Sequence, residues 1–237
     1  MNMTDKHLST QFDAELTDIC TRVLEMGGIA EAQVAQAIYA LTQFSGETAS
    51  QVLAREEQVN QLEVQIDRDL STIIARRQPT ARDLRLLIAV SKAIANLERV
   101  GDEAARIART VQRLLNAGVS SRMRLPVSDL EFESELAIKQ LRKALDAFAR
   151  LDVEAAIEVL KQDDQIDREF DGLMRKLITY MMEDPRTISA SIDLVFVAKA
   201  IERVGDHAKN LAEVIIYIVK GADVRHNTPE AVASMVR

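Results

Sequence analysis

The chain of 237 residues has no tryptophan, one cysteine, 4 prolines, 8 glycines and only 4% aromatic residues. With so few breakers, its abundant Ala, Leu, Glu, Arg and Gln form uninterrupted helix-favouring stretches, which predict an all-α fold. Cys20 cannot close an internal disulfide and fits a reducing compartment. It lies among Leu16, Ile19, Val23 and Leu24 at helical spacing, a core position rather than that of a nucleophile. Met1 to Gln11 is polar and lacks the apolar core of a signal peptide, and no run of eighteen apolar residues occurs. A soluble, cytoplasmic protein without membrane insertion is therefore expected. Basic residues number 30 against 37 acidic ones, a formal charge of −7, which argues against nucleic-acid binding because that needs basic surface to displace counterions. No phosphate-binding loop, dinucleotide motif, nucleophile constellation or catalytic His-Asp arrangement appears, so an enzyme is not expected.

One motif is written twice. Glu98-Arg99-Val100-Gly101-Asp102 returns as Glu202-Arg203-Val204-Gly205-Asp206, an offset of 104 residues. In each copy two carboxylates stand four positions apart, on one helical face. With Ile94 at zero on a helical wheel, Glu98 falls at about 40° and Asp102 at about 80°, beside the apolar stripe. A glycine in mid-helix costs roughly 1 kcal/mol against alanine, so Gly101 and Gly205 imply close approach of another backbone.

Around the motif the chain divides into two sets of three helices. Apolar residues from Phe12 to Leu41 recur at helical spacing, with Gly27-Gly28 marking a kink or a close crossing. Ser45-Gly46-Glu47 starts a second helix, and Pro79 with a Thr80-x-x-Asp83 capping arrangement separates it from a third that ends at Asn116-Ala117-Gly118. The pattern then repeats. Ala40, Glu47, Ala49, Val52, Leu53, Gln58 and Val59 are answered at 107 residues by Ala147, Glu154, Ala156, Val159, Leu160, Gln165 and Ile166, and Pro79 by Pro185. The expected organisation is two tandem three-helix bundles related by internal duplication: residues 1–118, a linker at 119–127, residues 128–221, and a C-terminal tail at 222–237. Met181 and Met182 beside the second proline are expected to fill core.

Convergent carboxylates on facing helices can hold hard cations, iron or zinc. In the first half Glu98 and Asp102 can meet Glu56, Glu57 or Asn60 on the preceding helix; in the second, Glu202 and Asp206 can meet Asp163, Asp164 or Asp167. The candidate metal-ligating residues are thus Glu56, Glu98, Asp102, Asp163, Asp167, Glu202 and Asp206. Asn60 stands where the second half has Asp167, so the second site is the more complete. The Glu-x-x-His pattern of di-iron bundles is absent, and the bland alternative is a solvated face paired with neighbouring arginines and lysines.

These residues carry a family resemblance. Arg76-Arg77-Gln78-Pro79-Thr80-Ala81-Arg82-Asp83-Leu84-Arg85-Leu86, the two Glu-Arg-Val-Gly-Asp stretches, Met181-Met182-Glu183-Asp184 and the segment from Tyr217 to His226 closely resemble the PhoU family, the phosphate-specific transport system accessory proteins. The resemblance covers nearly the whole chain. It implies a cytoplasmic homodimer that acts as a negative regulator of the phosphate-starvation response, linking the ATPase PstB of the phosphate ABC transporter to the sensor kinase PhoR. It also implies multinuclear iron or zinc clusters in some members at a Glu/Asp motif, met here by Glu98/Asp102, Asp163/Asp167 and Glu202/Asp206, with Glu56/Asn60 departing from it. No cofactor is required for an adaptor. The alternative from another class is a carboxylate-bridged metal-binding protein or metalloenzyme.

Overall fold

A computed structural model describes residues 10–119 and 125–236; the polar leader through residue 9, most of the expected linker, and the side chains of Asp163 and Val236 lie outside the described residues. The six expected long helices are present: α1 (Thr10–Thr42), α2 (Gly46–Arg77), α3 (Ala81–Asn116), α4 (Val127–Arg150), α5 (Val153–Glu183) and α6 (Ile188–Lys220). A 3-10 turn at Pro185–Thr187 precedes α6, and the tail contains a short α7 (Pro229–Val236), which the sequence did not suggest. No strand occurs among the described residues, and none of their helices is long and apolar enough to cross a membrane.

The duplication extends to the turns. Phe44 and Leu151, 107 positions apart, both take the left-handed conformation at φ 49. The next residue in each half donates its backbone N–H five residues back, Ser45 to Ala40 and Asp152 to Ala147, both at 2.9 Å. Each then caps the following helix: Ser45 Oγ accepts from Thr48 N at 3.2 Å and Asp152 Oδ1 from Ala155 N at 3.0 Å. Such caps satisfy N–H groups that have no intrahelical partner. Thr80 does not behave as its sequence suggests. Its side chain makes no cap bond; with Ala81 at φ 45 the first turn of α3 departs from regular geometry, and Asp83 N donates to the Thr80 carbonyl at 3.1 Å instead.

Helices α1, α2 and α3 pack on one another, as do α4, α5 and α6; α3 against α6 and α1 against α4 join the halves, and α7 lies on α5. The pairing of α3 with α6 is the most extensive in the molecule. Both helices are rich in buried alanine, with Ala89, Ala93, Ala104 and Ala108 on α3 and Ala190, Ala198, Ala208 and Ala212 on α6. One continuous core of buried residues runs through both halves.

Cys20 is a buried core residue; burial pushes its thiol up to about 11. Gly27-Gly28 does not interrupt α1. Gly27 is instead where Leu145 of α4 approaches, so close that an added Cβ would overlap it, while Gly28 faces open space. The methionine expectation fails at one position: Met182 is 79% exposed, at the end of α5 where the chain turns away from the core.

Candidate functional site

The two motif copies sit on the two central helices, α3 and α6. Val100, Gly101, Val204 and Gly205 are buried, whereas Glu98, Asp102, Glu202 and Asp206 are half-buried. The expected position beside the apolar stripe therefore holds in both copies. The glycine reading needs correction: side chains approach, not a backbone. A Cβ on Gly101 would lie 3.3 Å from Gln33 Oε1 and 3.5 Å from Val59; on Gly205 it would lie 2.8 Å from Ile166 Cδ1 and 3.2 Å from Gln140 Oε1.

Those glutamines form a repeated internal tie. Gln33 Nε2 donates to the Val52 carbonyl at 3.4 Å, and Gln140 Nε2 to the Val159 carbonyl at 3.2 Å. Each joins the first helix of its half to the second, and each leaves its Oε1 without a hydrogen-bond partner. Gln33/Gln140, Val52/Val159 and Val59/Ile166 all obey the 107-residue offset. The motif glycine thus accommodates a buried amide that fixes helix spacing.

Between α3 and α6 runs a polar groove of about 810 Å³ lined by Glu98, Asp102 and Glu103 from one half and Arg203, Asp206 and His207 from the other. The motif copies therefore share one groove in part, rather than each facing only its own bundle. Glu103 is buried. Arg203 donates to its Oε1 at 3.2 Å across the interface, and Arg106 stands 3.4 Å from its Oε2 on the same helix. Burying a carboxylate requires such compensation. Arg113 of α3 and Asp193 of α6 add a second, exposed tie between the halves at 3.0 Å.

In the first half, Glu98 and Asp102 gather with Glu63 of α2. Partial burial first, then the neighbouring charges of Asp102, Glu63 and Glu56, push the Glu98 carboxyl above its ordinary range. Glu63 is raised for the same reason, by burial, then Asp67 and Asp102. Glu56 adds to this field but has its own partner: Arg109 donates to both of its oxygens, at 2.8 and 2.6 Å. Glu57 accepts from Gln61 at 3.0 Å. Glu63 is the α2 carboxylate that sequence reasoning omitted from the site.

In the second half, the Lys199 ammonium bonds Glu202 at 2.6 Å. Asp167 is exposed, and Asp206 lines the shared groove. Glu202 also faces an unexpected neighbour, Glu133 of α4, which is 1% exposed with both oxygens lacking a hydrogen-bond partner. Burial, then Glu202 and Glu169, push its carboxyl up to about 8. Glu133 was legible in outline, since it follows Leu130 by three and precedes Ala137 by four, on the apolar face. Its counterpart at the 107-residue offset is the buried Met26.

Carboxylates of this kind suit hard cations and iron in chemistry. Among the described residues, however, no three His, Cys, Asp or Glu side chains are grouped closely enough to hold a metal ion.

Comparison with known proteins matches the description "PhoU domain" to residues 23–111 and again to 131–215. A Burkholderia protein described as a phosphate-specific transport system accessory protein PhoU homolog is 49% identical over 231 residues, covering 98% of both chains. The Escherichia coli strain K12 phosphate-specific transport system accessory protein PhoU is 45% identical, covering 94% of this chain and 90% of its own. The crystal structure of PhoU from Pseudomonas aeruginosa superimposes with a TM-score of 0.82 at 44% identity, over 89% of this chain and 100% of that one. The phosphate transport system regulatory protein PhoU from Streptococcus pneumoniae reaches the same TM-score at 26% identity.

Proposed function

Since this chain belongs to the PhoU family, we propose that it is an accessory protein of the phosphate transport system, acting as a cytoplasmic adaptor that keeps the phosphate-starvation response repressed. Its partners in this reading are the transporter ATPase PstB and the sensor kinase PhoR, and it works as a homodimer. The observation that carries the reading is similarity along nearly the entire chain to accessory proteins of phosphate transport. Long amphipathic helices suit the role, since they present extended faces to partner helices without performing chemistry. Capture of PstB and PhoR by the tagged full-length protein from phosphate-replete cells, together with derepressed phosphate-responsive transcription in a deletion strain, is the expected result. Capture of neither, with normal repression after deletion, rejects it.

A second reading, a carboxylate-bridged metal protein, is favoured by the mutual repulsion of Glu98, Asp102 and Glu63, which a cation would relieve. Iron or zinc is the expected occupant, with Asp163, Asp167, Glu202 and Asp206 as the second set. Because the described donors are not grouped as a ready coordination shell, the reading requires side-chain rearrangement on loading. Elemental analysis of protein purified without chelators tests it; stoichiometric metal lost in Asp102→Ala and Asp206→Ala supports it, and metal-free protein rejects it.

A further inference from the structure

The fold offers an interhelical ion pair twice and fills it once. Arg203 of α6 donates to buried Glu103 of α3 at 3.2 Å. The 104-residue offset that relates the motifs carries Arg203 back to Arg99 and Glu103 forward to His207. At this second position the carboxylate is missing. His207 Nδ1 donates to Asn96 Oδ1 at 3.1 Å, an oxygen that also accepts from Asn210 at 3.0 Å. Arg99 makes no hydrogen bond or ion pair among the described residues.

Arg99 and His207 open onto a cavity of about 420 Å³ that Lys92, Asn210, Tyr217 and Arg225 help to line. Two acids also border it, and the carboxylates of Glu63 and, in the adjoining groove, Glu98 feel the Arg99 charge, but none of these accepts a hydrogen bond from its guanidinium. Asp223 is held by Arg225 through bonds of 2.9 and 2.6 Å, and the Glu213 carboxyl is raised chiefly by burial. The three basic side chains leave an excess of positive charge.

We propose that this cavity binds a small phosphate-class oxyanion, inorganic phosphate or a phosphomonoester, which gives Arg99 the directly hydrogen-bonded oxygens that Glu103 gives Arg203. A guanidinium presents parallel N–H donors matched to such oxygens. The tetrahedral group accepts from several directions at once, which suits donors drawn from α3, α6 and the segment after α6. The remaining volume, beside Val214 and Tyr217, receives the organic body of a monoester. The inference rests on Arg99 and its cavity, so the partner-capture experiment and the binding experiment fail independently.

The test is calorimetric titration of the full-length protein with inorganic phosphate and with AMP at matched ionic strength. Saturable binding by either probe is expected, weakened at least about tenfold in Arg99→Gln and in His207→Glu, which supplies the missing carboxylate from within the chain. Arg203→Gln retains binding, because Arg203 serves Glu103. Tighter binding of AMP identifies an organic phosphate, and binding of phosphate alone identifies the free ion. Arg99 is exposed, so Arg99→Gln keeps the fold even if His207→Glu does not. No saturation by either probe, undiminished binding in Arg99→Gln, or equal loss in folded Arg203→Gln overturns the proposal.

Discussion

Gln140 Oε1 lies 3.2 Å from the point where a side chain on Gly205 would begin, and this contact explains why a helix-weakening residue sits in the middle of α6. The same amide ties α4 to α5 through the Val159 carbonyl. In the other half, Gln33 Oε1 lies 3.3 Å from the corresponding point on Gly101.

Alanine at each glycine therefore tests how much room the amide needs. Alanine gains about 1 kcal/mol in helix propensity and loses about 1–3 kcal/mol where it overpacks a core. At Gly101 the neighbours give by a few tenths of an ångström; at Gly205 Ile166 Cδ1 stands at 2.8 Å and must move. Urea denaturation should find Gly101→Ala within about 0.5 kcal/mol of the parent and Gly205→Ala destabilised by about 1 kcal/mol or more. The reverse order would refute the assignment.

The Arg203–Glu103 pair predicts an asymmetric response to mutation. Glu103 is buried, and its second oxygen has no hydrogen bond, so removing Arg203 strands a carboxylate between α3 and α6. Arg203→Ala should cost about 1–3 kcal/mol. Replacing both residues, Arg203→Met with Glu103→Leu, should recover most of that loss, because the desolvated charge goes too. A double mutant as unstable as the single one would contradict this account. The measurement is a double-mutant cycle by chemical denaturation.

The helices are legible because apolar spacing, not local propensity alone, defines them, and the duplication is legible because the end of α1 and the first half of α2 answer α4 and α5 at one constant offset of 107 residues. The border position of Glu98 and Asp102 followed from 100° per residue along a single helix. What a helical wheel does not contain is the crossing of one helix over another. Hence the wheel leads to Glu56, whose charge does reach Glu98 while Arg109 holds its oxygens, and omits Glu63, which joins the cluster. The same gap concealed Glu103 with Arg203, since residues 100 positions apart meet only through the α3–α6 contact. Thr80 failed as a cap for a local reason, because capping depends on the backbone of the following turn and Ala81 is left-handed there.

His207 predicts acid sensitivity. Burial first, then Arg99 of α3 and Arg203 on its own helix, lower its pKa to about 4; Asn96 and Asn210 beside it are neutral, and Asp206 precedes it. An unfolded histidine titrates near 6.5, so between about pH 6.5 and 4 the unfolded chain binds the extra proton and folding stability falls as pH falls. That contribution is fully present above pH 6.5. His207→Gln should flatten the dependence in this window by up to about 1.4 kcal/mol per pH unit, read as denaturation midpoints from pH 7 to 4. An unchanged slope would show that His207 titrates normally.

Glu133 predicts the opposite trend on the alkaline side. Its folded pKa is raised to about 8 by burial, Glu202 and Glu169, so the folded protein retains a proton that the unfolded chain releases near pH 4.5. Stability from this group is complete below the unfolded value and is lost progressively as pH rises towards 8. Lys199 does not cancel the effect, because its ammonium is committed to Glu202. The first half supplies the natural replacement: Met26 occupies the equivalent position and is buried. Glu133→Met should therefore raise stability at pH 8 by about 1–3 kcal/mol, have a smaller effect at pH 5, and remove part of the decline between them. Thermal or urea unfolding at the two pH values separates this from simple repacking, which would change both by the same amount. Equal shifts at pH 5 and pH 8 would mean that Glu133 is not held protonated by the fold.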